Sequence, residues 1–482
     1  MTRFTRRRLL QAGALTALAA AGCGPPKRNT PSEAAWRELA ANLRGQVLRP
    51  GDAQFDALGL PLNRRFAGVR PGGVAVCATP EDVAHALTWS RENGLPCVPR
   101  SGGHSFMGYS TNEGLVVSTG RLNSVRYQAQ SDRIVVGGGA LNTDVAAALK
   151  PYDVMFPTGQ CPTVGVAGLT LGGGLGFSMR SLGITSDQLI SSQVVLAGGE
   201  IVTASAAENP DLFWALRGGT GGNFGINTEF TFASHPARRC THFSVDFPAT
   251  QMAPMLDAWF SVLAGAPREL GIMWYTDTLD GQPVCGTWGL MYGSESDTRD
   301  VLAPLSRSVG RPAYEEYVEG TYWDAIAFLA EGSSVPHSYI DRSRFLDRPP
   351  GNDGIASLVT QLDKRPHSGL SATIFGWGGA IRETPADATA FVHRSPVALI
   401  KYGATWDPGD DGAADSSRRW VDETFDVMEP HSSRRSFQNF PDGELQDWAA
   451  AYFGDNLARL IDVKRKYDPD RKFDFPQAIP SR

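Results

Sequence analysis

The chain has 482 residues, of which 42% are hydrophobic and 20% are charged. This composition is typical of a globular protein, and the length is enough for two or three lobes with packed cores. A formal net charge of −6 provides no basic surface to attract a phosphate backbone, which excludes nucleic acid as the expected partner. We therefore expect a small or neutral ligand.

Residues 1–30 have the pattern of an export signal followed by a polar tether. Their apolar run, residues 9–21, is too short to remain in a bilayer as a spanning helix. Residues 5–11 (TRRRLLQ) are similar to a twin-arginine signal, which accompanies proteins exported in the folded state; a simple basic signal peptide is the alternative. Residues 18–23 (LAAAGC) resemble a lipoprotein cleavage box, so Cys23 is a candidate lipid anchor. We expect a protein of the cell envelope or periplasm.

Apart from Cys23, the sequence holds an odd number of cysteines. In an exported protein, this leaves at least one sulfur outside any intramolecular disulfide. The five are Cys77, Cys97, Cys161, Cys240 and Cys285. No CxxC or cysteine-histidine cluster has the spacing of a metal site, so we expect no metal.

The first predicted elements form a βαβ unit that begins at Gly73. A helix with Pro80 in its first turn and Gly94 at its end separates two apolar strands. Cys77 and Cys97 are then expected on neighbouring buried strands, as free thiols or, alternatively, as a disulfide.

The later elements predict an α+β fold with two lobes. Short strands, a helix and a hairpin with its turn at Gly198 and Gly199 complete a first lobe over residues 31–236. Residues 237–430 contain longer helices and paired strands, which predict an antiparallel sheet backed by helices with one face free for a ligand. Residues 431–482 contain an amphipathic helix and an extended tail.

A glycine-rich turn follows one predicted buried strand directly. Its sequence, RSGGHS over residues 100–105, allows several backbone N–H groups to turn toward one anion, and a pyrophosphate is the natural occupant. Glycine-rich loops after strands are common, so the turn alone does not identify a site.

Further motifs follow this turn in a fixed order along the chain. They are residues 99–105 (PRSGGHS), 159–165 (GQCPTVG), 171–174 (LGGG), 211–219 (DLFWALRGG), 223–226 (NFGI), 466–469 (KYDP) and 475–480 (FPQAIP). Together they resemble the berberine bridge enzyme-like FAD-linked oxidases of the vanillyl-alcohol oxidase superfamily, which includes the glucooligosaccharide oxidases. The resemblance implies a PCMH-type FAD-binding domain over about residues 70–236, a substrate domain, and a C-terminal segment that returns to the FAD domain.

The resemblance implies that FAD is bound covalently at two residues. His104 stands at the position of the family's flavin-linked histidine, and Cys161 stands at the position of its flavin-linked cysteine. An imidazole and a thiolate are both nucleophiles that can add to an electron-poor ring. In the family, the two bonds hold the flavin rigidly and make it more oxidising.

The resemblance also implies a set of non-covalent cofactor contacts. The turn would bind the pyrophosphate, other glycines would lie against the ribityl chain and the ring, and C-terminal side chains would close over the cofactor. The alternative is that some of these glycines serve only tight packing. The implied contacts are Arg100, Ser101, Gly102, Gly103, Ser105, Gly165, Gly168, Gly172, Gly173, Gly174, Gly222, Asn223, Ile226, Asn439 and Gln477.

The implied substrate pocket departs from the family pattern. Family members pass a hydride to the flavin while a side chain removes a proton. Phe437 and Phe440 stand where the family often has tyrosine, Phe106 does so too, and Leu169 replaces a histidine. We therefore expect a pocket that is poor in phenols.

Lys401 and Tyr402 are the remaining candidates for the catalytic base. Adjacent residues on a strand point to opposite faces, so only one of them can reach the flavin. The family alignment favours Lys401, whose amine could act as a base after burial; an ordinary surface lysine is the alternative. Tyr275 and Trp377, on adjacent strands, are expected to line the same pocket.

Val164, three residues after Cys161, implies access for oxygen. Family members with valine there tend to react with oxygen, and those with leucine or isoleucine tend to be dehydrogenases. We expect an oxidase acting on an alcohol, a sugar or an oxidisable ring, although the change at Leu169 weakens this inference. A dehydrogenase with a quinone-like acceptor and a weakly catalytic, flavin-loaded surface binding protein are the alternatives.

Overall fold

The computed structural model describes residues 30–279, 282–330 and 335–481. The predicted export signal and Cys23 lie outside these residues. Within them, no helix combines the length and the apolar character that a membrane span requires.

The first sheet has four strands in the order β1-β2-β4-β3. Its elements are α1 (Glu33–Asn42), β1 (Gln46–Leu48), α2 (Phe55–Gly59), β2 (Gly73–Val76), α3 (Pro80–Glu92), β3 (Cys97–Arg100) and β4 (Leu115–Ser118). Helix α3 begins as predicted, because the Thr79 hydroxyl accepts a hydrogen bond from the Asp82 backbone N–H and Pro80 takes the first position. Gly94 follows it with φ +61°.

The βαβ unit is present, but its two strands are not neighbours. Strands β2 and β3 both run parallel to β4, which lies between them. The prediction that Cys77 and Cys97 lie on neighbouring strands was therefore wrong. Both thiols are buried and free, as are those of Cys240 and Cys285.

The second sheet has five antiparallel strands in the order β5-β6-β10-β8-β9. The elements of this part are β5 (Val125–Gln128), β6 (Arg133–Gly137), α4 (Asn142–Leu149), β7 (Val154–Met155), α5 (Val166–Leu171), α6 (Met179–Leu182), β8 (Leu189–Val195), β9 (Ile201–Ser205), α7 (Pro210–Ala215), β10 (Ile226–Ala233) and β11 (His235–Pro236). The predicted hairpin is formed by β8 and β9, with Gly199 at φ +96° in its turn.

The third sheet has seven antiparallel strands in the order β15-β12-β14-β13-β17-β18-β16. The elements are β12 (Cys240–Pro248), α8 (Met252–Gly265), β13 (Leu270–Leu279), β14 (Gln282–Met291), α9 (Glu295–Val309), β15 (Tyr314–Gly320), α10 (Tyr322–Leu329), β16 (Ser338–Leu346), α11 (Gly351–Asp363), β17 (Leu370–Gly376), β18 (Ala398–Trp406) and α12 (Asp411–Val427). Helices α8 and α12 cover one face, where the Trp259 indole donates a 3.1 Å hydrogen bond to the Thr287 hydroxyl. The predicted sheet backed by helices is confirmed.

The C-terminal segment packs against α7 and the loop before β10, and it contains a buried ion pair. It contains α13 (Trp448–Phe453) and α14 (Leu457–Tyr467). The Lys464 ammonium lies 2.6 Å from Asp468, and both side chains are fully buried. The same ammonium donates to the carbonyls of Asn223, at 2.7 Å, and Phe473, at 2.8 Å. These bonds hold the loop before β10 against the end of the chain.

Candidate active site

A cavity of about 520 Å³ lies where the loops of the first two sheets meet the exposed face of the third. Its volume is within the range typical of cofactor and substrate pockets. Its wall takes residues, though not every residue, from the segments 97–106, 159–169, 220–227, 337–341, 401–405, 437–441 and 473–477, with several shorter contributions. Within the described ranges, no three His, Cys, Asp or Glu side chains are placed to hold a metal ion.

The predicted anion-binding turn is in this wall and has unused hydrogen-bonding capacity. Gly103 has φ +74°, a conformation that favours glycine. In the described part of the chain, Arg100 Nη2, Ser101 Oγ and Ser110 Oγ are buried without a hydrogen-bond partner. Buried donors in proteins normally have partners, so these three atoms fit a bound anion such as the pyrophosphate of FAD.

The backbone of this turn lies directly against the segment that carries Cys161. A Cβ at Gly102 would stand 2.6 Å from the Thr163 carbonyl oxygen and would overlap the Gly165 nitrogen. Only glycine allows the two segments to approach this closely. Therefore, the fold brings His104 and Cys161, 57 positions apart in sequence, into one cavity wall.

His104 is placed as a neutral, hydrogen-bonded imidazole. Its Nε2 lies 2.8 Å from the Thr163 hydroxyl oxygen. Burial lowers the pKa of His104 to about 4, so the ring carries one proton at neutral pH. The Cys161 carbonyl accepts a 2.9 Å hydrogen bond from the Asn142 side chain, which positions that loop. Thr163 and Asn142 were not singled out from the sequence, because neither is a motif glycine or stands at a flavin-linked position of the family.

Most of the predicted cofactor contacts line the cavity, and so does Val164, the predicted site of oxygen access. Their functional roles remain predictions. The contacts are Arg100, Ser101, Gly102, Gly103, Ser105, Gly165, Gly168, Gly222, Ile226, Asn439 and Gln477.

Gly172, Gly173, Gly174 and Asn223 do not line the cavity, and their predicted contacts with the cofactor have no support in its wall. A Cβ at Gly172 would overlap the Asn439 amide, one at Gly173 would stand 2.6 Å from Phe391, and one at Gly174 would overlap Thr185. These glycines allow protein segments to pack against each other. The fully buried Asn223 amide instead binds backbone groups at Gly219 and Ile479.

The apolar wall of the substrate side is formed by four of the six predicted pocket residues. Phe106, Leu169, Phe437 and Phe440 line the cavity, and the rings of Phe106 and Phe440 are 4.9 Å apart. The other two were placed wrongly. Trp377 is 1% exposed and donates to the His393 carbonyl, while Tyr275 is held away by a hydrogen bond to Asp246.

The cavity also contains phenols that the sequence analysis did not identify. Tyr109, Tyr339 and Tyr452 line it, so the expectation of a pocket poor in phenols was wrong. Burial raises the pKa of Tyr109 to about 12 and also raises the pKa of Tyr339. Tyr339 lies in β16, outside every family motif, and strand alternation, which puts it on the same face as Asp341, is the only sequence signal that could have identified it.

Lys401 and Tyr402 lie on opposite faces of β18, as predicted, and only Lys401 lines the cavity. Tyr402 is fully buried under α12 with its ring against Phe425, so its candidacy as the base was wrong. Lys401 Nζ lies 2.8 Å from Asp341 Oδ1, and the two side chains are 22% and 6% exposed. A side chain at Gly403, which is paired with Asp341 across β16 and β18, would overlap that carboxylate.

Comparisons with known proteins agree with this architecture. A family model described as "FAD binding domain" matches residues 71–205, and one described as "Berberine and berberine like" matches residues 436–480. The FAD-linked oxidoreductase YvdP of Bacillus subtilis (strain 168) is 32% identical over 92% of this chain and 99% of its own. Xylooligosaccharide oxidase of Thermothelomyces thermophilus is 28% identical over 96% of this chain and 97% of its own length. The solved structure of Physcomitrella patens BBE-like 1 matches with a TM-score of 0.85 and 27% sequence identity. The match covers 93% of this chain and 99% of that chain.

These similarities extend through both lobes and the C-terminal segment. They confirm the predicted α+β fold class, with a PCMH-type FAD-binding domain, and they confirm an FAD-dependent enzyme. The chain belongs to the berberine bridge enzyme-like FAD-linked oxidoreductases.

Proposed function

We propose that the protein is an oxidase that removes a hydride from an alcohol, a sugar or an oxidisable ring and passes the electrons to molecular oxygen, forming hydrogen peroxide. The observation that carries the proposal is one cavity wall that contains His104 and Cys161 together with the Lys401 and Asp341 pair. This arrangement provides cofactor anchors and a proton-accepting group around a single space.

We propose that His104 and Cys161 both bind FAD covalently, with the phosphates at Arg100 and Ser101. Bound there, FAD supplies the two-electron acceptor for a hydride. The neutral imidazole and the unpartnered buried donors near the turn support this assignment. Asn439, which donates to the Leu169 carbonyl, holds the C-terminal segment over the cavity, and Gln477 donates within that segment to the Asp442 carbonyl.

We propose that Asp341, rather than the Lys401 amine, accepts the substrate proton. An ammonium paired with a carboxylate has no lone pair to accept a proton, whereas a carboxylate accepts through two oxygens. A hydroxyl becomes far more acidic as the hydride leaves its carbon, so a carboxylate is a sufficient base. Lys401 would hold Asp341 in place and donate a hydrogen bond to the substrate oxygen.

The substrate classes follow from the walls around this pair. The rings of Phe106, Phe440 and Tyr339 provide flat apolar faces, and Asp341 with Lys401 provides the polar groups that orient a hydroxyl. Similarity to xylooligosaccharide oxidase supports a sugar among the candidates. Val164, in the wall beside Cys161, supports oxygen as the acceptor.

Two measurements test the oxidase proposal. Acid-precipitated protein should be yellow and heavier by one FAD, and a colourless pellet would refute covalent binding. Panels of sugars, alcohols and phenols should then include a compound that reduces the flavin under nitrogen and forms hydrogen peroxide in air. Reduction without peroxide would identify a dehydrogenase with another acceptor, and no reduction by any compound would favour the weakly catalytic binding protein.

We propose export through the twin-arginine route to the cell envelope or periplasm, with Cys23 as a lipid anchor. The pattern of residues 5–11 supports the route, and residues 18–23 support the anchor. Replacing Arg6 and Arg7 together by Lys should retain the protein in the cytoplasm. Cys23→Ala should release it from the membrane fraction without blocking export, and unchanged fractionation of either variant would contradict the corresponding part of the proposal.

A further inference from the structure

Thr163 connects the two residues that we propose to bind FAD. It lies two positions after Cys161, and its hydroxyl oxygen is 2.8 Å from His104 Nε2. The same segment packs directly on the turn before His104, where a Cβ at Gly102 would stand 2.6 Å from the Thr163 carbonyl. The position of the imidazole therefore depends on Thr163 through both its side chain and its backbone.

The direction of the hydrogen bond between Thr163 and His104 Nε2 determines which ring nitrogen of His104 is a nucleophile, because the hydroxyl either accepts from Nε2–H or donates to the Nε2 lone pair. A neutral imidazole has one N–H and one lone pair, and the partner of one nitrogen sets the tautomer. With its pKa lowered to about 4 by burial, His104 is neutral at physiological pH. When Nε2 carries the proton and donates it to the Thr163 hydroxyl oxygen, the lone pair is on Nδ1. In the other tautomer, Nδ1 carries the proton and cannot attack.

We propose that Thr163 is the positioning residue for covalent attachment at His104, by holding the Nε2–H tautomer and aiming Nδ1 at the flavin. The inference rests on the proposed double attachment. A carbon–nitrogen bond forms between Nδ1 and a ring methyl carbon, while one proton leaves that methyl group and one leaves the imidazole. The two electrons released reduce the flavin, and molecular oxygen then takes them up with two protons as hydrogen peroxide.

The Cys161 bond provides an internal control in the same molecule. On the proposed role, removal of the Thr163 hydroxyl releases the tautomer of His104, while Cys161 keeps its own side chain as the second attachment site. Thr163→Val keeps the size of the side chain without the hydroxyl, and Thr163→Ser keeps the hydroxyl. A role for Thr163 in packing the segment that carries Cys161 would slow both attachments, whereas the proposed role affects His104 alone.

The test follows attachment at each residue by peptide mass mapping of acid-denatured holoprotein, sampled at successive times after induction. In Thr163→Val, we expect attachment at His104 to slow by roughly tenfold, the effect of losing one hydrogen bond. Attachment at Cys161 should proceed at the wild-type rate, and Thr163→Ser should restore attachment at His104. His104→Ala and Cys161→Ala define the two singly attached products.

Equal rates at His104 in wild type and Thr163→Val would overturn the inference, as would equal slowing at both residues. Should Thr163→Val accumulate unfolded, Thr163→Ala, which also lacks the hydroxyl, replaces it with the same expected results. A wild-type protein that carries no flavin at either residue would instead refute the proposed double attachment. The two failures are thus distinguishable.

Discussion

The Asn439 side-chain amide donates a 2.9 Å hydrogen bond to the Leu169 carbonyl and fills the space beside Gly172. This contact joins the C-terminal segment to α5, which lies in the cavity wall. The Asn439 side chain leaves no room for a Cβ at Gly172. This explains why the LGGG motif, residues 171–174, has glycine at a position that does not line the cavity. The motif preserves the path of the chain behind the cofactor site.

Gly172→Ala should therefore destabilise the fold. Its Cβ would overlap the Asn439 amide, and displacing a packed side chain typically costs about 1–3 kcal/mol. We expect a lower melting temperature and a weaker hold of the C-terminal segment, measured by thermal unfolding and by proteolysis after residue 430. A melting temperature equal to that of the wild type would contradict this account of Gly172.

Gly168→Ala, within the helix that ends just before Gly172, is the matched variant. No protein atom lies within 4 Å of a Cβ at Gly168, and this glycine lines the cavity. Alanine favours the helical conformation more than glycine does, so the variant should be at least as stable to unfolding as the wild type. We expect reduced FAD content instead, measured by absorbance per mole of protein; full FAD content would show that the cofactor does not approach α5 there.

Asp341→Asn should reduce the rate of flavin reduction by about 10²–10⁴-fold, the usual contribution of a general base. Lys401→Met should have a smaller effect, because it removes the partner of Asp341 and not the proton acceptor. Stopped-flow reduction under nitrogen, with a substrate found in the panel, measures both. Asp347→Asn, which removes the carboxylate of an ion pair near the surface with Arg435, is the control. A larger loss in Lys401→Met than in Asp341→Asn would make Lys401 the base.

Lys464→Met should strongly destabilise the C-terminal segment. It leaves the Asp468 carboxylate buried without its cation, which typically costs about 3–5 kcal/mol. The control is Lys466→Met, because Lys466 pairs with Asp211 at the surface and such pairs contribute about 0–1 kcal/mol. Urea unfolding compares the two. Equal losses of unfolding free energy would show that burial does not determine the contribution of the Lys464 pair.

His393 should make the protein less stable as the pH falls. Its ring is fully buried and stacked on Phe345, and burial lowers its pKa to about 3. Below the ordinary value near 6.5, the unfolded chain binds a proton that folded His393 does not bind. The free energy of unfolding then decreases by about 1.4 kcal/mol per pH unit until about pH 3, and it is unaffected above pH 6.5.

The variant His393→Gln removes this titration. The free energy of unfolding of the variant minus that of the wild type should be constant above about pH 7 and should increase as the pH falls below 6.5, because only the wild type loses stability through this histidine. Urea unfolding between pH 8 and pH 4.5 measures this difference. His85→Gln, an exposed histidine on α3, controls for the loss of an imidazole. A pH-independent difference for His393→Gln would contradict the assignment.

The local patterns of the sequence predicted much of the fold. Helix α3, the β8–β9 hairpin and the strand pairs of the third sheet form as expected, because capping residues, turn glycines and apolar alternation act over a few neighbouring residues. The order of strands β2, β4 and β3 was not predictable in this way. A parallel strand can insert between two others without any change in their own sequences.

The sequence by itself determined the cofactor and its candidate anchors, because His104 and Cys161 are each embedded in a contiguous motif whose glycines are required by close backbone approach. Only the tertiary structure decided which residues surround the substrate. Asp341 meets Lys401 through the register of β16 and β18, strands that are separated by a helix and a further strand along the chain. Cross-strand register depends on the packing of the whole sheet, and no local pattern records it.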